Sequence, residues 1–530
     1  MSFSGLTFRS YAKNHPKSHS HLIAYGTCGP RDNGRFIDSM AFRMGIIAAI
    51  RSRSMESQAV GIMITGSHNP SEDNGIKMID FNGYILDEPW EPLCVKLGNE
   101  SDLKLEAATH HIIKKLNLRN PGLVFIARDS RDTSEKLAKS ASDGVRSTDS
   151  AVRDFGMLTT PQLHHIVYFH NKGLPEPTEI GYFFKFIGSF KELCFGINKS
   201  PGKYTPRLNV DCGNGVGGLK MKKVQNQLAP YLYLNLHNTG PGTVNQECGS
   251  YFVESELKEP IDCPVNQGDR WSSIGGDFDR IIYYYKDKEN QLRILNGDKI
   301  AALFCLYIKE LLLFSGLSDK VTFQVIQTIY SNGKTSRFLR KYVGVSVDCS
   351  LPGIKNLMKK TENSDISIWF ESNGHGSVFY NEKAYRVVKS AVETDSTGSA
   401  DLLMKIFHLM HQSTGDAFCN LLLIESILRA KDWTVENWDS IYETSPSRFV
   451  TVTVKDHTFI KTNETGTVVL EPDKLQYKIN QLVNRFEDSR VIVRPSGTEP
   501  VVRVYGESST QEKADQLVEH IVQLVQNYSK

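Results

Sequence analysis

No run of the chain stays apolar for the ~18–20 residues that a membrane-spanning helix requires. The longest candidate, Ile300–Leu313, is interrupted by Lys309 and Glu310. The opening segment MSFSGLTFRSYAKNHPKSHSH lacks the apolar block of ~7–15 residues that a secretory signal carries. The nine cysteines, at 28, 94, 194, 212, 248, 263, 305, 349 and 419, are scattered without a C-x-x-C pair. An odd, unclustered set suits reduced thiols rather than a disulfide framework. A formal net charge of only +2 gives no reason to expect nucleic acid or an anionic membrane as a partner. These absences lead us to expect a cytoplasmic protein, and they leave the oligomeric state open. Sequons such as Asn198-Lys-Ser and Asn463-Glu-Thr then read as chance matches.

The chain of 530 residues is long enough for about three to five domains at ~100–200 residues each. Short apolar strands alternate with helical stretches. A helix amphipathic over Ser39–Arg51 leads to a strand Ala59–Thr65, and Leu123–Ala127 is a second strand. A polar linker, 198–207, precedes Leu208–Val210 and a glycine-rich turn, Asp211–Gly218. Downstream, helix Lys299–Leu313 precedes strands Phe323–Ile329 and Ile366–Phe370. Strand–helix alternation of this kind predicts α/β domains with mixed, mostly parallel sheets. The last stretch reads as a smaller α+β domain, with strands Phe449–Val454, Arg490–Val493 and Val501–Tyr505. Its closing helix is expected to start from a capping box at Ser509–Glu512 and to bury Ala514, Leu517, Val518, Ile521 and Val525.

Five loops carry residues suited to chemistry. In Thr65-Gly-Ser-His-Asn-Pro70, Ser67 stands on a tight turn at a strand end, where loops meet ligands. Lys77 follows close enough to return to the same place, to hold phosphate or shuttle a proton. In Gly276-Asp-Phe-Asp-Arg280, Asp277 and Asp279 can aim hard oxygens at one divalent cation, with Arg280 beside them to hold a phosphate. Glu371-Ser-Asn-Gly-His-Gly376 offers Glu371, Ser372 and Asn373 to sugar hydroxyls and His375 to proton transfer. In Arg494-Pro-Ser-Gly-Thr498 successive backbone N–H groups make an anion nest, to which Arg494 and Arg503 add charge. Tyr25–Arg31 is a weaker glycine loop that brings Arg31 toward phosphate. Taken singly, each motif also reads as an ordinary polar turn.

In this order the Ser67, Asp277, Glu371 and Arg494 motifs resemble the four signatures of the α-D-phosphohexomutase superfamily. The similarity extends over essentially the whole chain and is greatest to the branch acting on N-acetylglucosamine phosphates. That resemblance implies four domains around a central cleft: 1–200 with the phosphoserine, 201–296 with the metal loop, 297–445 with the sugar loop, and 446–530 with the phosphate nest. It further implies interconversion of N-acetylglucosamine 6-phosphate and 1-phosphate, on the route to UDP-N-acetylglucosamine. Ser67 would be the phosphorylated serine and, with Asp277 and Asp279, a ligand of Mg²⁺. Glu371, Ser372 and Asn373 would contact the sugar. Arg494, Pro495, Ser496, Gly497, Thr498 and Arg503 would hold the non-reacting phosphate.

The chain departs from the family pattern at three places. Gly275 stands where the metal loop usually has its first Asp, Gly66 replaces an Ala and is expected to loosen the serine turn, and Pro30 replaces a Phe before Arg31. The first departure keeps open a sugar-phosphate-binding relative of weakened activity. A phosphoglucomutase or phosphomannomutase is the other alternative.

Overall fold

A computed structural model describes residues 3–197, 202–240, 242–496 and 500–529. The first four residues of the expected linker, 198–201, and the nest residues Gly497 and Thr498 therefore lie outside the described residues. The chain divides into two compact units, one of residues 1–294 and 408–432, the other of 295–407 and 433–530.

The first unit holds two five-stranded sheets. In one, Ala59–Ile64, Leu123–Arg128 and Ala151–Met157 run parallel, and Asp73–Ile79 and Arg31–Asn33 extend the edge antiparallel. The strand AVGIMI is buried along its whole length, as expected of a central strand covered on both faces. One face packs on helices Asp38–Ser54 and Ser134–Arg146, the other on Thr160–Asn171.

The helix expected to be amphipathic over Ser39–Arg51 extends over Asp38–Ser54 and is buried all round, from Ser39 to Arg53. The reason is close packing on both sides. A Cβ on Gly45 would meet the Ala141 carbonyl oxygen at 2.1 Å, so the neighbouring helix covers the face that periodicity assigns to solvent. Its arginines find partners within the fold; Arg51, for example, is paired with Asp80 at 2.6 Å.

In the second sheet, Tyr233–His237, Arg207–Asp211 and Trp271–Ile274 are parallel, with Ile281–Lys286 antiparallel beside them and Leu292–Leu295 at the edge. Helix Ala417–Lys431 belongs to this unit. Its fully buried Glu425 receives both Arg270 (3.1 and 2.8 Å) and the hydroxyls of Tyr204 and Tyr283.

In the second unit, Phe323–Thr328 lies parallel to Ser346–Ser350 and Ile366–Phe370, and Gly376–Tyr380 returns antiparallel. The buried helix Gly297–Phe314 packs on this sheet. An antiparallel sheet of Ser447–Thr453, Val501–Glu507 and Arg490–Pro495 follows, covered by helix Gln511–Tyr528. That helix buries Ala514, Leu517, Val518, Ile521 and Val525 as expected. Its cap is not Ser509 but Thr510, whose hydroxyl accepts the Lys513 N–H at 3.3 Å. Among the described residues no helix is long and apolar enough to cross a membrane.

Candidate active site

Two of the chemistry-bearing loops of the first unit leave the carboxyl ends of parallel strands, where open α/β sheets bind ligands. The serine turn follows Ala59–Ile64 and the acidic loop follows Trp271–Ile274. Ser67 adopts φ +52° and Phe278 φ +70°, left-handed conformations that cost a non-glycine residue ~1–3 kcal/mol and persist only where surroundings enforce them. For Phe278 the surroundings are apolar. Its fully buried ring packs toward Phe418, 6.1 Å away, and would meet a Cβ on Gly217 at 2.9 Å. This anchoring presents Asp277 and Asp279, on either side of the ring, to one place.

That place is shared with the serine. The Ser67 hydroxyl donates to Asp277 Oδ1 at 3.0 Å. Lys77 Nζ donates to Asp277 Oδ2 at 2.6 Å and to Asp279 Oδ2 at 3.0 Å. Ser67, Asp277, Asp279 and Lys77 are all buried, between 0% and 8% exposed, so these contacts work in a low-dielectric setting. Burial alone would lower the Lys77 ammonium, but Asp277 and Asp279 hold it above the usual lysine range. Arg280 lies beside the pair, its Nε 3.5 Å from Asp279 Oδ1. Arg31 donates to Asn69 Oδ1 at 2.7 Å. Burial and the charges of Arg280 and Arg31 lower the His68 pKa well below the usual histidine range.

The donor set fits a hard dication. Asp277 and Asp279 supply carboxylate oxygens, Ser67 adds a third oxygen, and an ammonium already sits between the carboxylates. Oxygen ligands with few carboxylates suit Mg²⁺, which retains several waters. The set is nonetheless small. Among the described residues no three His, Cys, Asp or Glu side chains gather as a metal site. Gly275 contributes no side-chain oxygen, although a Cβ there would meet only ordinary contacts, the nearest being Asp279 Oδ1 at 3.5 Å.

Two residues that motif reading missed hold these loops. Thr160, at the start of a helix, donates its hydroxyl to Asp277 Oδ2 at 2.7 Å and its N–H to the Asp277 carbonyl at 3.0 Å. Asn245 Nδ2 donates to the Ser67 carbonyl at 2.7 Å and the Asn69 carbonyl at 3.1 Å. The expectation that Gly66 loosens the serine turn is not met. A Cβ at this position would meet Arg131 Cζ at 2.5 Å, because a buried guanidinium is packed directly against the turn.

In the second unit, Glu371 to Gly376 forms the tight connection between two antiparallel strands. Glu371 N–H donates to the His375 carbonyl at 2.9 Å, and His375 N–H donates to Asn373 Oδ1 at 3.0 Å. Glu371 Oε1 accepts the Gly353 N–H at 2.9 Å, and the Ser372 carbonyl accepts the Gly297 N–H at 2.9 Å. His375 is buried with its ring edge-on to Trp369, 5.5 Å between centroids. Arg494 and Arg503 are direct cross-strand partners, with Pro495 next in register. Like charges placed opposite one another are destabilising unless an anion lies between them. Tyr330, absent from the sequence reading, is close enough for both arginines to counter the upward shift that burial gives its hydroxyl. Ser496 is buried and its N–H is committed to the Val501 carbonyl at 2.9 Å.

Comparison with known proteins bears on both units. A phosphoacetylglucosamine mutase domain III model matches residues 296–433. Phosphoglucomutase/phosphomannomutase models match the α/β/α domain I at 46–96 and 95–173, and the C-terminal domain at 452–524. The human phosphoacetylglucosamine mutase is 38% identical, covering 96% of this chain and 95% of its own length. The Arabidopsis thaliana protein of that name is 36% identical over 96% of this chain and 95% of its own. The crystal structure of Aspergillus fumigatus N-acetylphosphoglucosamine mutase with GlcNAc-6P and magnesium superposes with a TM-score of 0.94 at 32% identity, covering 99% of this chain and all of that one. An N-acetylglucosamine-phosphate mutase in its product complex gives 0.94 at 32% identity, over 98% of this chain and 99% of that one. With whole-length identity in this range, the chain belongs to the phosphoacetylglucosamine mutase family of the α-D-phosphohexomutase superfamily.

Proposed function

We propose that the chain interconverts N-acetylglucosamine 6-phosphate and N-acetylglucosamine 1-phosphate through a phosphorylated Ser67, in the cytosol, on the route to UDP-N-acetylglucosamine. The observation that carries this reading is the buried contact of the Ser67 hydroxyl with Asp277, beside the cation Lys77. Phosphorylated Ser67 gives its phosphoryl group to the free hydroxyl of the bound sugar phosphate. The Ser67 O–P bond breaks and a sugar O–P bond forms, while the sugar hydroxyl gives up its proton and the Ser67 oxygen regains one. The resulting bisphosphate turns round and returns its other phosphoryl group to Ser67.

Such transfers depend on positioning and electrostatics more than on covalent chemistry. Lys77, Arg280 and Arg31 supply fixed positive charge around the transferring group. Asp277, Asp279 and the Ser67 oxygen would hold Mg²⁺, which when bound neutralises negative charge on that group. Glu371, Ser372 and Asn373 take the sugar hydroxyls. Arg494, Ser496 and Arg503, with Gly497 and Thr498, hold the phosphate that is not reacting. Since Lys77 is committed to two carboxylates, proton transfer falls to His375.

The test is a coupled assay on N-acetylglucosamine 6-phosphate across a magnesium titration. Turnover should be lost in Ser67→Ala, with the melting temperature kept. A Ser67→Ala protein of undiminished activity would remove the serine from the mechanism. Running glucose and mannose phosphates alongside separates this reading from a phosphoglucomutase or phosphomannomutase. Gly275 favours a second reading, a sugar-phosphate-binding relative of weakened activity. Absence of magnesium-dependent turnover, with Ser67 unphosphorylated by intact mass, would establish that reading instead.

A further inference from the structure

We infer that Arg131 is the positioning residue of the phosphoryl-carrying turn, shaping it by gathering its carbonyl oxygens around one guanidinium. The inference rests on the reading of Ser67 as the carrier. The Arg131 side chain is fully buried, and each of its five N–H donors has a partner. Nε donates to Asp129 Oδ2 at 3.1 Å. Nη1 donates to the carbonyls of Pro70 and Asp73, the latter at 2.9 Å. Nη2 donates to the carbonyls of Ser67 at 2.9 Å and Asn69 at 2.8 Å.

Four carbonyls from residues 67–73 therefore converge on a single planar cation. The two nearest the serine are gripped twice, because Asn245 Nδ2 donates to the same oxygens. This arrangement fixes the left-handed backbone of Ser67, a conformation that a serine does not keep unaided. The Asp129 carboxylate neutralises the guanidinium, so its effect on phosphoryl transfer is local geometry rather than a long-range field. Gly66 completes the device. Cζ, Nε and Nη1 of Arg131 lie 2.5–2.8 Å from where a Cβ on residue 66 would stand, so in this chain a larger residue there requires the guanidinium to shift.

Lysine keeps the charge but has three donors and no planar fork, so Arg131→Lys separates charge from geometry. The readout is the rate at which Ser67 takes a phosphoryl group from a hexose 1,6-bisphosphate, followed by intact mass on protein shown to be folded by thermal melting. Displacing a reacting atom by about 1 Å costs on the order of 100-fold. We expect Arg131→Lys to slow transfer about 10- to 100-fold while KM for the sugar phosphate stays within about twofold, since Arg131 touches no substrate-holding group. Gly66→Ala should show the same split between kcat and KM in a protein whose Arg131 is intact, and it should add little in an Arg131→Met background, where the clash has no partner.

Wild-type transfer rates in both Arg131→Lys and Gly66→Ala would overturn the inference. So would a raised KM with transfer unchanged. If Ser67→Ala itself still turns over, the carrier assignment falls. If Ser67→Ala is dead while both clamp variants transfer normally, only the clamp falls.

Discussion

Gly275→Asp tests the acidic loop most directly, because the perturbation is steric at no point and electrostatic throughout. The Cβ would stand 3.5 Å from Asp279 Oδ1, 3.6 Å from Arg280 Cβ and 3.7 Å from Ser250 Oγ, all ordinary van der Waals separations. The backbone at 275 is not left-handed, so a side chain adds no strain. Taken at a separation of ~4 Å, the new carboxylate and that of Asp279 repel by ~4 kcal/mol at an effective dielectric of 20. Lys77, 3.0 Å from Asp279, and Arg280 beside it offset most of this. A net destabilisation of about 1–2 kcal/mol without metal remains.

A dication at the same distance reverses the sign and doubles the size, to ~8 kcal/mol of gross attraction. Much of that is spent in displacing a tightly held water, which leaves ~1.4–2.8 kcal/mol, or 10- to 100-fold tighter magnesium binding. Isothermal titration with magnesium, on protein freed of phosphate, reads the affinity without reference to turnover. Melting with and without magnesium reads the stability, and the magnesium-induced rise should be larger in Gly275→Asp than in the wild type. A variant that binds magnesium no more tightly than the parent, or that melts higher than the parent without metal, would refute the assignment of Asp277 and Asp279 as a cation site.

Thr160→Val removes the 2.7 Å hydroxyl bond to Asp277 at nearly constant volume. Hydrogen bonds to charged groups contribute ~1.5–3 kcal/mol. The variant should lose that much in urea unfolding and about tenfold in magnesium affinity, and an unchanged affinity would show that Thr160 does not orient Asp277. His15 provides a pH test far from the active site. It bridges Asp38 at 2.9 Å and Asp143 at 3.2 Å. Burial alone would lower its pKa, but its bonds to Asp38 and Asp143 raise it. A histidine raised in the folded state contributes stability fully present below the unfolded value of 6.5 and lost as pH rises through the raised folded value. His15→Gln should therefore cost about 1–2 kcal/mol at pH 6 and much less at pH 8.5. Equal costs at the two values would show that His15 is uncharged in the fold.

What the sequence made legible is chemistry confined to short spans. Asp277 and Asp279 are two residues apart, and Ser67 sits at the end of an apolar strand, so residue type and spacing suffice to bring them forward. The strand Ile366–Phe370 is found where the alternation of apolar runs and turns predicts it, because five consecutive buried residues leave few other readings. The helix Asp38–Ser54 failed for the opposite reason. Periodicity reports which residues are apolar, not what covers the polar ones, and Arg51 is buried by virtue of Asp80, 29 residues away.

The same limit explains what was missed around the active site. Arg131 and Asn245 act on Ser67 from 64 and 178 residues away, and Thr160 acts on Asp277 from 117. None stands in a local pattern that signals a task. Gly66 is expected to loosen the serine turn, yet the left-handed residue there is Ser67, and in the acidic loop it is Phe278. Those conformations are imposed from outside, by a saturated guanidinium in one case and a buried aromatic contact in the other. In both loops the motif supplies the reacting groups, and distant, chemically ordinary residues supply the geometry. Substitutions at those distant positions should therefore lower turnover while every motif residue remains in place.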